Sequence, residues 1–124
     1  MNSILDQISQ IKEGLTIEMM SALTANLDIT EKHLAKVAGL SISTLAIRKK
    51  TGRLKPAESE RIMRVDRIFR RAMEVFKDQS IAKRWIKSPA KALGGIAPID
   101  FTETDIGARE VENLLGRIEY GVYS

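Results

Sequence analysis

Between residues 48 and 71 the sequence holds ten basic side chains and three acidic ones, a local net charge of +7 in a chain whose total is +4. Residues 1–47 carry −2, residues 72–80 carry −1, and residues 81–124 are neutral. Lys and Arg clustered this densely are the footprint expected of a surface that contacts phosphates. The plainer alternative is a solvated helix face. Just upstream stand Ser41, Ser43 and Thr44, short hydroxyls that can lie against base edges while nearby cations reach phosphate oxygens. The nucleic-acid candidates are therefore Ser41, Ser43, Thr44, Ile47, Arg48, Lys49, Lys50, Arg53 and Lys55. This face has no Gln, Asn or early Arg for bidentate base reading, and Ile47 occupies a place where a polar residue would be more useful. Modest base specificity follows, with Lys49, Lys50, Arg53 and Lys55 supplying most of the affinity through phosphates.

Other chemistries find little material. The chain has no cysteine, which excludes disulfide frameworks, thiolate zinc sites, iron–sulfur clusters and cysteine nucleophiles. Its one histidine, His33, leaves no multi-histidine metal site and reads as a structural or surface residue. Glu110 and Glu112 are two apart, so they do not share a helix face as a catalytic carboxylate pair should. No glycine-rich phosphate loop is present. The expectation is a protein with no catalytic residues, no metal and no cofactor. No apolar run is long enough to span a bilayer and nothing resembles a signal peptide, so the expected compartment is the cytosol. A membrane-surface helix over residues 61–77 is disfavoured, because its apolar stripe is needed for a core.

The elements that must position the basic block are helices. Apolar residues recur at three and four rather than at two, which predicts an all-α chain. At 124 residues it makes one domain, or two small helical parts sharing a core. A first helix spans residues 3–13, with Ile4, Ile8, Ile11 and Leu15 on one face and Gly14 as its stop. A second covers 16–26, with Ile17, Met20, Leu23 and Leu27 inward. Thr30 caps a short helix to Ala38, Gly39 breaks it, and Ser41 caps the next, to about Lys50. Two helices crossing at a tight turn need a small residue at the crossing, one that accepts positive φ in the turn, and apolar anchors either side. Ala35, Gly39, and Leu34, Ala38, Leu40 and Leu45 meet those needs, giving a helix-turn-helix. Its bland counterpart is a helical hairpin with no DNA role. Pro56 opens a long helix to about Lys77, striped by Ile62, Val65, Phe69, Met73 and Phe76. Residues 78–88 form a helix carrying Ile81 and Trp85, residues 89–101 are rich in turns, and Thr104 caps a last helix. That helix has Ile106, Val111, Leu114, Leu115 and Ile118 apolar, and it ends at Gly121.

The segment after residue 80 has the more specific pattern. It runs through Trp85, Ser88-Pro89, Leu93-Gly94-Gly95, Pro98-Ile99-Asp100, Thr104-x-x-Gly107 and a close of Arg117-Ile118-Glu119-Tyr120-Gly121-Val122-Tyr123-Ser124. Trp85 reads as a core anchor and Gly94-Gly95 as a sharp reversal. Tyrosines near a terminus dock somewhere, on this chain's own core or on a partner. The Trp-x-x-x-Pro, Leu-Gly-Gly-x-x-Pro and Arg-Ile-Glu-Tyr-Gly-Val motifs resemble the toxin-binding domain of antitoxins of the Xre/MbcA/ParS type. Thr44-Leu45, Gly52-Arg53-Leu54 and Glu58 to Arg61 resemble the family's Xre-type DNA-binding part. The resemblance covers residues 29–124, and residues 1–28 match no family motif.

The resemblance implies a two-part, non-enzymatic antitoxin. Its C-terminal end would cover the active site of a cognate RES-type toxin that consumes NAD, and it would dimerise and repress its own operon on operator DNA. By position, the toxin-side candidates are Leu93, Gly94, Gly95, Arg117, Glu119, Tyr120, Gly121, Tyr123 and Ser124. The expected division is 1–54 for the N-terminal helices and helix-turn-helix, 55–79 for the connecting basic helix and 80–124 for the toxin-binding domain. A competing reading is a stand-alone regulator or localisation factor whose C-terminal domain serves only oligomerisation.

Overall fold

Hydroxyl and carboxylate side chains open the helices, each accepting a hydrogen bond from a backbone N–H that the first turn leaves without a partner. In the computed structural model, which describes residues 3–121, Ser3 caps α1 (Ile4–Glu13) and Thr16 caps α2 (Ile17–Leu27). Thr30 caps α3 (Glu31–Val37) and Ser41 caps α4 (Ile42–Thr51). The long helix α5 (Pro56–Phe76) starts on proline. Asp78 caps α6 (Gln79–Lys87), and Thr104 caps α8 (Asp105–Tyr120). Between α6 and α8 lie a single 3-10 turn (Lys91–Leu93) and the four-residue α7 (Pro98–Phe101), in the stretch expected to be turns. The described residues contain no strand, so the all-α expectation holds.

The chain forms two compact units, Met1–Met63 and Arg64–Ser124, and the division falls inside α5. In the first unit Met20, Leu27, Leu34 and Ile62 are almost wholly buried. Its two junctions are tied by backbone pairing: Leu54 N–H donates to the Leu15 carbonyl at 2.8 Å, and Ile17 N–H to the Gly52 carbonyl at 3.0 Å. The buried Ser59 hydroxyl completes this seam, accepting from Leu15 N–H at 2.8 Å and donating to the Lys55 carbonyl at 2.9 Å. A polar group this deep costs stability unless it is bonded, and this one uses its donor and an acceptor position.

The second unit is built on Val65, Ile68, Ile86, Ile99, Val111 and Leu115, all fully buried. Gly107 lies where α8 passes the end of α7. A Cβ there would sit 1.9 Å from the Phe101 carbonyl oxygen, so only glycine permits this approach.

Several apolar residues lie less deep than their spacing alone suggests. Ile4 and Ile8 do not face inward: they are 69% and 42% exposed, Leu5 is exposed beside them, and no residue of α1 is buried. Helical spacing reports that a face is apolar, not that a neighbour covers it. Ile106 is 78% exposed, because it precedes Val111 by five residues and so points ~140° away from it around the helix. Trp85 is half-buried rather than a full core anchor, its ring tilted against Phe76 with centroids 5.5 Å apart.

Candidate nucleic-acid interface and partner-binding face

α3 and α4 form the expected helix-turn-helix. Leu34, Ala35, Ala38, Leu40 and Leu45 are its buried anchors. Gly39 turns the chain at φ +77°, and the turn is clamped from α5 by Arg61, whose Nη1 donates to the Ala38 carbonyl at 3.0 Å. The start of α4 is a hydroxyl cluster. Ser41 Oγ accepts from Thr44 N–H at 3.1 Å, donates to Thr44 Oγ1 at 2.9 Å and stands 3.1 Å from Ser43 Oγ. Ser41 and Thr44 are thus engaged in capping, while Ser43, Ala46, Ile47 and Lys50 face solvent on the outer side of α4.

The basic block is less free than its charge suggests. Arg48, expected to reach phosphate, points at Glu58: its Nε lies 2.9 Å from Oε1 and its Nη2 3.0 Å from Oε2, with both side chains largely covered. Glu58 also accepts from Lys55 N–H at 2.8 Å, and the Arg48 guanidinium holds its carboxyl below the usual carboxylate value. Arg53 donates from Nη1 to the Gly14 carbonyl at 2.8 Å. Lys49 Nζ sits 2.7 Å from Glu31 Oε1, and that hydrogen bond lowers the Glu31 pKa. Lys50 and Lys55 are exposed and make no ion pair among the described residues.

The arginines further along α5 serve the second unit. Arg64 donates to the Thr102 carbonyl, Arg67 pairs with Glu112, Arg70 with Asp66, and Arg71 with Glu74 and Glu119. Several of these partners lie 38 to 48 residues away in sequence, which no local charge pattern reveals.

The partner-side candidates separate into support and surface. Leu93 is buried and anchors the reversal, in which Gly95 N–H donates to the Ala90 carbonyl at 2.9 Å. Gly94 and Gly95 are exposed at its tip, both with positive φ. Glu119 does not stand free: Arg71 grips it with two hydrogen bonds of 2.5 and 3.1 Å, and this pairing lowers its pKa. Arg117 is exposed, and Tyr120 is 77% exposed and so does not pack on the chain's own core. Gly121 closes α8 in the left-handed conformation. Tyr123 and Ser124 lie outside the described residues. A cleft unmarked in the sequence reading, lined by Trp85, Ala90, Lys91, Ala92, Leu114 and Ile118, lies in the same unit. No group of residues that could hold a metal ion occurs among the described residues, and no helix there is long and apolar enough to cross a membrane.

A helix-turn-helix unit with solvent-facing hydroxyl and lysine side chains, followed by a second helical unit with an exposed aromatic helix end, defines a two-part helical protein. Comparison with known proteins gives the family. Residues 6–65 match the antitoxin Xre-like helix-turn-helix domain, and residues 71–121 match the antitoxin Xre/MbcA/ParS C-terminal toxin-binding domain. The antitoxin Xre of Yersinia enterocolitica is 34% identical over 119 residues, covering 94% of this chain and 80% of that protein. The antitoxin Xre of Photorhabdus laumondii is 31% identical over 116 residues, covering 92% and 78%. A protein of Sphingobium sp. named Prs ADP-ribosylating antitoxin is 24% identical, covering 98% and 83%. The chain belongs to the Xre/MbcA/ParS family: it is an antitoxin of a toxin–antitoxin system with a helix-turn-helix domain.

Proposed function

We propose that this antitoxin neutralises a RES-type, NAD-consuming toxin through its C-terminal unit and binds operator DNA as a homodimer for autoregulation. On this reading it needs no cofactor, has no catalytic role, and works in the cytosol, where NAD and operator DNA are found. The observation that carries it is the pairing, in one short chain, of a helix-turn-helix with an exposed outer α4 face and a toxin-binding domain whose helix end is exposed. ADP-ribosylation draws on NAD, and the Sphingobium relative is named for it. A twofold operator with half-sites about one helical turn apart is most simply read by a twofold protein. In the proposed division, residues 1–54 serve DNA, 55–79 connect, and 80–124 serve the toxin.

An NAD-consuming site is a concave pocket, which the exposed end of a helix can enter where a broad folded surface cannot. Tyr120 offers rigid aromatic area of the kind that forms interface hot spots. Removing residues 120–124 is expected to restore toxicity when toxin and antitoxin are co-expressed, while operator binding in gel shifts stays unchanged. A truncated chain that still neutralises fully rejects the tail as the inhibitor. Light scattering that returns a monomer at micromolar concentration, with and without DNA, rejects the homodimer.

A further inference from the structure

The second unit has a cleft of about 540 Å³. It lies within the size range of protein pockets that hold a ligand or an anchoring group. Trp85 comes from α6, Ala90, Lys91 and Ala92 from the 3-10 turn and its approach, and Leu114 and Ile118 from the second half of α8. Trp85 and Ile118 are half-buried and Ala92 is exposed, so an apolar floor meets solvent. The cleft therefore joins the two stretches that carry the toxin-binding motifs. Lys91 and Ala92 run directly into Leu93-Gly94-Gly95, and Ile118 lies between Arg117 and Glu119 in the last turns of α8.

The side of the cleft formed by α6 and the 3-10 turn is basic in sequence. Between Asp78 and Asp100 the chain has Lys83, Arg84, Lys87 and Lys91 and no acidic residue. Lys91 itself lines the cleft. The cleft lies inside the part of the chain that matches a toxin-binding domain, residues 71–121. We infer that this cleft is an anchor site for the toxin, receiving a bulky apolar side chain that the toxin presents next to a carboxylate. The apolar group covers Trp85, Leu114 and Ile118, and the carboxylate pairs with Lys91. Anchors of this kind, seated in a pocket at the middle of an interface, carry most of the binding energy. The inference rests on the toxin-binding reading and gives that reading a place and a chemistry beyond Tyr120.

The test uses the full-length chain and the toxin encoded by the adjacent reading frame, refolded after release from the co-purified complex, in titration calorimetry. Ala92→Trp fills the cleft from its solvent side and is expected to weaken toxin binding at least tenfold. Lys91→Glu is expected to weaken it several-fold and to reduce its dependence on salt. Both are expected to leave circular dichroism, the thermal midpoint and operator binding unchanged. Toxin binding by Ala92→Trp within twofold of the parent chain overturns the inference. So does an Ala92→Trp chain that changes its own oligomeric state while still binding toxin normally, because the cleft is then a contact between copies. If Ala92→Trp fails to fold, Lys91→Glu decides: unchanged affinity and unchanged salt dependence overturn the inference. A parent chain that does not bind the toxin at all overturns the toxin-binding reading itself, and this inference with it.

Discussion

A guanidinium that can reach a phosphate can equally reach a carboxylate, and in this chain carboxylates are close by. Arg48 is the clearest case, its two hydrogen bonds to Glu58 tying α4 to the first turn of α5. The pair makes stability depend on pH. The Glu58 carboxyl is held below its ordinary value of 4.5, chiefly by the Arg48 hydrogen bond, so the unfolded chain binds its proton more readily than the folded one. The stabilisation is complete above about pH 4.5 and is lost as the pH falls through the lower folded value. Glu58→Gln is therefore expected to melt lower than the parent chain at pH 7, with the gap closing below about pH 4.5. A gap that persists undiminished at pH 3 would sink the assignment. Glu31 plays a different part. It engages Lys49, a cation on the helix expected to meet DNA, at 2.7 Å with both side chains partly exposed. Phosphate must displace that carboxylate for Lys49 to contribute. Glu31→Gln is expected to tighten operator binding by a few-fold in low salt, and weaker binding would instead mean that Glu31 holds Lys49 in its working position.

At the scale of elements, the last helix holds two glycines with opposite demands. Gly107 faces the Phe101 carbonyl so closely that a methyl group cannot be added without moving backbone. Gly116, nine residues on, has nothing within 4 Å of where its Cβ would be. Gly107→Ala is expected to cost about 1–3 kcal/mol by overpacking. Gly116→Ala is expected to stabilise by about 0.5–1 kcal/mol, because glycine within a helix loses more backbone freedom on folding than alanine does. Thermal melts of the two variants moving in the same direction would contradict this placement of α8. The start of that helix at Thr104 was legible in the sequence, as were those at Ser3, Thr30 and Ser41, because a cap is a local device that acts within three residues. The buried stripe of α2 was legible too, since Ile17, Met20, Leu23 and Leu27 are all covered. The exposure of Ile4 and Ile8 was not, because it depends on whether another element lies alongside. For the same reason the sequence marked Trp85 and the apolar residues of α8 separately, while the cleft that Trp85, Ala90 to Ala92, Leu114 and Ile118 line together depends on how the chain returns.

Across the whole molecule, charge has to be counted after internal pairing. The sequence concentrates +7 in residues 48–71, and taken at face value this is a broad cationic surface. In the structure Arg48, Arg67, Arg70 and Arg71 are ion-paired, while Arg53, Arg61 and Arg64 each donate to a backbone carbonyl. Lys50 and Lys55 are left to solvent, with Lys49 shared with Glu31. Each phosphate neutralised on duplex DNA contributes about −0.9 to the slope of log K against log salt. If the lysines alone engage, the block contributes a slope of about −3 per protomer, whereas all ten cations would give roughly −9. The shallow value is the expectation for operator titrations followed from low to moderate salt. Lys49→Ala combined with Lys50→Ala should flatten it by about two units and weaken operator and unrelated DNA alike, since phosphate contacts carry no sequence. Ser43→Ala should leave the slope untouched and change the preference among sites. A slope nearer the steep value would mean that the arginines leave their carboxylate and carbonyl partners when DNA arrives. Operator binding and slope both unchanged by the double substitution would place the lysines on a solvated face that never meets DNA.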